Sequence, residues 1–104
     1  MQSSVDKTVG DNRLLFPLGA VVMTQRISSL VDDGLSVWSL IARHAKGDWG
    51  QLDEEDREQN ELALQEGGRL FSQYNVCLKG VNHRIWVITE ADRKTTAVLL
   101  PVEY

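Results

Sequence analysis

Side chains able to do nucleophilic, acid–base or metal chemistry are few and widely spaced in this chain. There are two histidines, His44 and His83, and a single thiol, Cys77. No HxxxH or CxxC spacing joins them, so no metal site is expected. The eight glycines form neither GxGxxG nor GxxxxGK[ST], which leaves nucleotide phosphates without a backbone cradle. Because no GxSxG or Cys/His arrangement supplies an activated nucleophile, no catalytic residue is assigned and no cofactor is expected. Carboxylate-only hydrolysis would have to be built from residues such as Asp48, Asp53 and Glu90, since paired acids carry no linear signature.

Three groups of residues are candidate sites. In Gly47-Asp48-Trp49-Gly50 two glycines bracket an acid and a large aromatic, which marks a sharp corner. Asp48 is suited to bond backbone amides in an Asx-type turn while Trp49 fills the core edge. The functional alternative has Asp48 and Trp49 lining a pocket with His44, as in a small ligand-binding domain or hydrolase. The second group is acidic: seven of the fifteen acidic residues fall between Asp53 and Glu66. A solvated helix face accounts for such a run, and Glu54, Glu55 and Glu58 are its candidate partner-binding residues. In the third group, Glu90-Ala91-Asp92-Arg93-Lys94, Asp92 is expected to cap a turn and Glu90 to pair with Arg93 or Lys94. There too, Glu90, Asp92 and Arg93 are candidates for meeting a partner.

The elements that position these groups follow from periodicity. Leu18 to Met23 is β-prone, and Pro17 places that strand at an edge or makes it start there. Thr24 is suited to cap a short helix over 25–32, ended by Gly34. Ser36 caps a second, in which Val37, Leu40, Ile41 and His44 fall at i, i+3, i+4 and i+7, with Trp38, Ala42 and Ala45 widening the stripe. His44 at the end of that stripe is expected half-buried on a backbone carbonyl. Asp53 caps a third helix, which Gly67-Gly68 closes. Strands are predicted over 69–78, from 84 and over 95–100, the last stopped by Pro101, with 102–104 trailing away. Trp86 and Ile88 alternate with Ile85 and Val87, so both faces of that strand are apolar, as in a central strand covered on both sides. Cys77, within a strand, reads as a small buried or half-buried hydrophobe.

The 104 residues, 42% hydrophobic and 25% charged, fit one globular domain over 14–104 behind a flexible leader of residues 1–13. No apolar run nears the ~20 residues of a membrane span and no signal-like apolar region opens the chain, so a cytoplasmic location is expected. A net charge of −4 argues against direct nucleic-acid binding, which needs a basic face.

Taken together, Gly47-Asp48-Trp49-Gly50, the acidic helix through Glu61, Gly67-Gly68-Arg69-Leu70, Ile88-Thr89-Glu90-Ala91-Asp92-Arg93 and Leu99-Leu100-Pro101 carry a resemblance. Over roughly residues 15–104 the chain resembles a family of small proteins of bacterial plasmids and integrative elements labelled only "plasmid-related protein". That resemblance implies a mobile-element setting and carries over no catalytic residue. A restriction-subunit label attached to some of that family does not suit a chain too short for a methyltransferase domain and lacking its Gly-rich loop. The fold class expected is α+β: an antiparallel sheet of about four strands, a three-stranded C-terminal meander plus the N-terminal strand, with two or three helices on one face. The function expected is non-enzymatic: an accessory protein acting on another protein. A homodimer becomes an option if the second sheet face is uncovered.

Overall fold

Pairing begins with the C-terminal strands, which the hydrophobic alternation makes the densest part of the chain. The computed structural model describes residues 14–104; the expected leader lies outside the described residues. Strand β2 (Leu70–Leu78) turns through Lys79-Gly80, both at positive φ, into β3 (Val81–Thr89), and the two pair antiparallel over nine residues. Such a two-residue turn matches the right-handed twist of the strands it joins. The Glu90–Lys94 turn leads to β4 (Thr95–Leu99), again antiparallel to β3.

The N-terminal strand β1 (Ala20–Met23) pairs with β4, giving the order β1-β4-β3-β2. It runs parallel to β4, so the sheet is mixed, not antiparallel as expected. The reason is topological. Between β1 and β2 the chain crosses the sheet through its helices, and this long connection leaves the direction of β1 free, whereas a tight hairpin forces antiparallel pairing. Gly19 makes the junction possible: Ala20 N–H donates to the Lys94 carbonyl (2.9 Å), and a Cβ on Gly19, at φ +66°, would collide with the Lys94 backbone.

The helices fall where capping and periodicity place them. Thr24 accepts the Ile27 amide at 3.2 Å and opens α1 (Gln25–Asp32). Helix α2 (Val37–Ala45) buries Val37, Leu40, Ile41, His44 and Ala45. Asp53 accepts the Asp56 amide at 2.8 Å and opens α3 (Glu54–Glu66), with three acids in the first turn facing the positive helix end. Trp38 departs from the expected stripe: it is 64% exposed. Val37 and Leu40 already fill the core-facing arc, and the adjoining position points away.

The core lies on one face of the sheet. Ile27 and Leu30 of α1 and Leu40 and Ile41 of α2 pack against Tyr74, Ile85, Val87 and Val98 of the strands. A second cluster joins Phe16, Trp49, Leu52, Ala63 and Leu70 beneath α3. Among the described residues the opposite face carries no α-helix, and a short 3-10 turn, Pro101–Glu103, with Tyr104 approaches it, where the sequence suggested a trailing end. Glu103 fixes this turn by accepting from the Leu100 amide and the Thr24 hydroxyl, both at 2.9 Å. Cys77 points to the open side and is exposed, not buried.

Candidate functional site

Register defines the open face. Val22, Ala97, Ile88 and Phe71 lie side by side and make an apolar row across all four strands. The adjoining row is Leu99, Trp86 and Gln73, in which the Trp86 indole N–H donates to the Gln73 side-chain oxygen at 2.9 Å. Phe71 meets Trp86 edge-on (centroids 4.9 Å apart), and Tyr104 meets Trp86 at 5.5 Å. The Arg69 guanidinium lies 5.4 Å from the Tyr104 ring centre, donates to the Tyr104 hydroxyl, and pairs with Glu90 at 3.3 Å. Arg69, Phe71, Trp86, Ile88 and Tyr104 thereby line a concavity of about 280 Å³.

Its chemistry is apolar with a neutralised rim. The polar groups at its edge, Arg69, Glu90 and the Tyr104 hydroxyl, already satisfy one another, so no unpaired charge is aimed into it. The hydrogen bonds it donates to the Tyr104 hydroxyl and the Glu90 carboxylate hold the Arg69 guanidinium above its ordinary pKa. The volume lies just under the ~300–1,000 Å³ of small-molecule sites and suits one large side chain of a partner. Two other concavities have more polar walls: one of about 680 Å³ at Asn75, Asn82, His83, Arg84, Pro101 and Val102, and one of about 320 Å³ beside the α3 terminus, whose lining includes Gln59, Leu62, Glu66 and Arg69.

The Asp48/Trp49 corner is filled by the chain itself. Asp48 accepts the Gly50 amide at 3.2 Å, the Asx geometry expected, and pairs with Arg43 at 2.7 Å. That hydrogen bond from Arg43 holds its carboxyl below the usual range. Trp49 is buried, its indole N–H donating to Glu61 at 3.1 Å. Gly50, at φ +75°, bridges to Gln73 of β2; a Cβ there would collide with the Gln73 carbonyl. The Gln51 amide donates to that carbonyl at 2.6 Å, and Gln73 N–H donates to the Trp49 carbonyl at 3.1 Å. Farther along the edge, Asn60 of α3 takes both backbone groups of Phe71, at 2.6 and 3.1 Å. His44, Asp48 and Trp49 line none of the three concavities described.

His44 lies fully buried on hydroxyls, not on the carbonyl expected. Its Nδ1 is 2.5 Å from the Ser72 Oγ and its Nε2 3.0 Å from the Thr89 Oγ1. Burial first, and the Arg93 charge second, push its pKa down to about 4. The Ser72–His44 spacing is that of a nucleophile and its base, but both side chains are wholly enclosed, out of reach of a substrate.

The acidic helix presents Glu54, Glu55 and Glu58 to solvent, with Leu62 exposed beside them. At the turn, Asp92 accepts the Lys94 amide at 2.9 Å as expected. Glu90 pairs with Arg69 instead of Arg93 or Lys94. Arg93 does not face outward: at φ +61° it turns its guanidinium under the domain, donating to the carbonyls of Gly68 (2.5 Å), Glu90 (3.1 Å) and Ala63 (3.2 Å) beside the Phe16 ring. An Arg fork carries enough donors to tie the end of α3 to the hairpin, and that explains its inward turn. Of the turn residues, only Glu90 joins the open-face site, through Arg69.

No family model matches the chain, and no curated protein or solved structure matches it either. Among the described residues no group of three or more His, Cys, Asp or Glu could hold a metal, and no helix is long and apolar enough to cross a membrane.

Proposed function

We propose that this chain is a non-enzymatic binding protein that grips another protein through the helix-free face of its sheet, in the mobile-element setting that the sequence resemblance implies. The observation carrying this reading is the concavity formed by Arg69, Phe71, Trp86, Ile88 and Tyr104. An apolar floor, three aromatic walls and a rim whose charges are already paired favour an uncharged aliphatic or aromatic anchor on the partner. The apolar row from Val22 to Phe71 extends that contact across the sheet. The exposed acids of α3 lie outside this face and would act on a partner's basic surface by steering its approach.

The test is capture from a bacterial lysate on immobilised wild-type protein and on Tyr104→Ala, both checked by circular dichroism. A protein retained by the wild type and lost from the variant supports the reading. Equal retention, or none by either, overturns it.

A further inference from the structure

We infer that His44 is held as the neutral Nε2–H tautomer by a one-directional relay of hydroxyls, and that this relay acts as an acid-sensitive latch on the fold. The direction follows from counting hydrogens. A backbone carbonyl only accepts, so the Thr96 hydroxyl must give its single hydrogen to the Leu18 carbonyl, 2.7 Å away. Thr96 Oγ1 is then an acceptor for Thr89, at 2.7 Å. With its one hydrogen committed to Thr96, Thr89 Oγ1 can only accept from His44, at 3.0 Å, which places the imidazole proton on Nε2. Nδ1 therefore keeps its lone pair and accepts from Ser72 at 2.5 Å. All four side chains are wholly buried, so water cannot reverse the chain.

A proton arriving on Nδ1 makes Ser72 an acceptor and leaves a buried cation. Among the described residues the neighbours offer no counter-charge. From the segment before β1 comes the Phe16 ring, 5.3 Å away, and from the corner the Trp49 ring, 5.7 Å away. From the β3–β4 turn comes the Arg93 charge, which opposes a second cation. The nearby acids face elsewhere: Asp48 to Arg43 on the helix of His44 itself, Glu61 of α3 to the Trp49 indole, and Glu90 beyond Thr89 to Arg69. On β2, Tyr74 remains neutral, its hydroxyl pushed up to about 12 by burial.

The sign follows from linkage. The folded value, about 4, lies below the ordinary 6.5, so the unfolded chain takes up the proton first. The contribution to stability is complete above pH 6.5 and declines as pH falls. The loss is about 160-fold in the folding equilibrium at pH 4 and approaches its limit, about 300-fold, only below that folded value.

The experiment uses His83→Gln, which leaves His44 as the single imidazole, with ring nitrogens labelled for ¹⁵N NMR. Expected are the Nε2–H pattern at pH 7, no protonation above about pH 5, and a fall in folding equilibrium of about 75-fold between pH 8 and 4.5 beyond that of His83→Gln/His44→Gln. An Nδ1–H pattern, a tautomer mixture or protonation near pH 6.5 overturns the inference, as does equal pH dependence in the two variants. Should the double variant not fold, the ring spectra and their titration decide alone.

Discussion

The two faces of one sheet have opposite destinies in this molecule, and adjacent residues of β3 show it best. Ile85 points into the helices and is wholly buried, whereas Trp86 points away, meeting Phe71 and Tyr104 and donating to the Gln73 side chain. On the covered side, alternation supplies apolar residues to α1 and α2 and encloses a hydroxyl relay. On the open side, the same alternation supplies an equally apolar row that no helix covers among the described residues. A strand apolar on both faces therefore marks it as central without stating what covers each face. Here one cover is built into the chain, and the other is proposed to be a partner.

Substitutions can break or sharpen this contrast. The largest effect is expected on the covered side: Ile85→Ala should lower unfolding free energy by about 2–5 kcal/mol in urea titration, because the packed helices cannot close over the cavity. A loss under about 1 kcal/mol would show that side to be loosely packed. Arg93→Met should cost about 2 kcal/mol by the same measurement, since it orphans carbonyls at the end of α3 while keeping much of the side-chain volume over Phe16. Ser72→Ala should cost about 1–3 kcal/mol by leaving His44 Nδ1 without its donor. The smallest change belongs to the open face: Tyr104→Ala, at a residue 65% exposed, should stay within about 0.5 kcal/mol of wild type while abolishing partner retention. A large destabilisation there would make the aromatic cluster part of the fold's own support and erase the contrast.

Much of the architecture is legible in residue order. Thr24, Asp53, Gly34 and Gly67 mark helix ends that the structure observes within a residue or two, because caps and left-handed stops are local. The direction of β1 is not local, and nothing in Ala20–Met23 encodes it. The relay is partly readable: Ser72 stands between Leu70 and Tyr74 on the inward phase of β2, and a hydroxyl at an inward position asks for a buried partner. His44 on an apolar helical stripe is the complementary signal. The open-face site is illegible for a different reason. Its members Arg69, Phe71, Trp86 and Tyr104 come from three separated stretches, and Tyr104 joins them only because Glu103 folds the chain end back onto the Thr24 junction. The inward turn of Arg93 is not legible in the sequence because a charged turn residue ordinarily faces water, and here five donors at one fork outweigh that preference.

The sheet's two edges are also unlike. Along β2, the backbone groups of Phe71 and Gln73 and the Asn75 amide are occupied by Asn60, Trp49, Gln51 and the Gln51 side chain, whereas among the described residues no strand lies beyond β1. Polymerisation through strand pairing needs two adhesive sides on every subunit. With these groups occupied, the 71–75 stretch of β2 is a poor template for a further strand, so strand pairing between identical copies is favoured at the β1 edge over this part of the opposite flank.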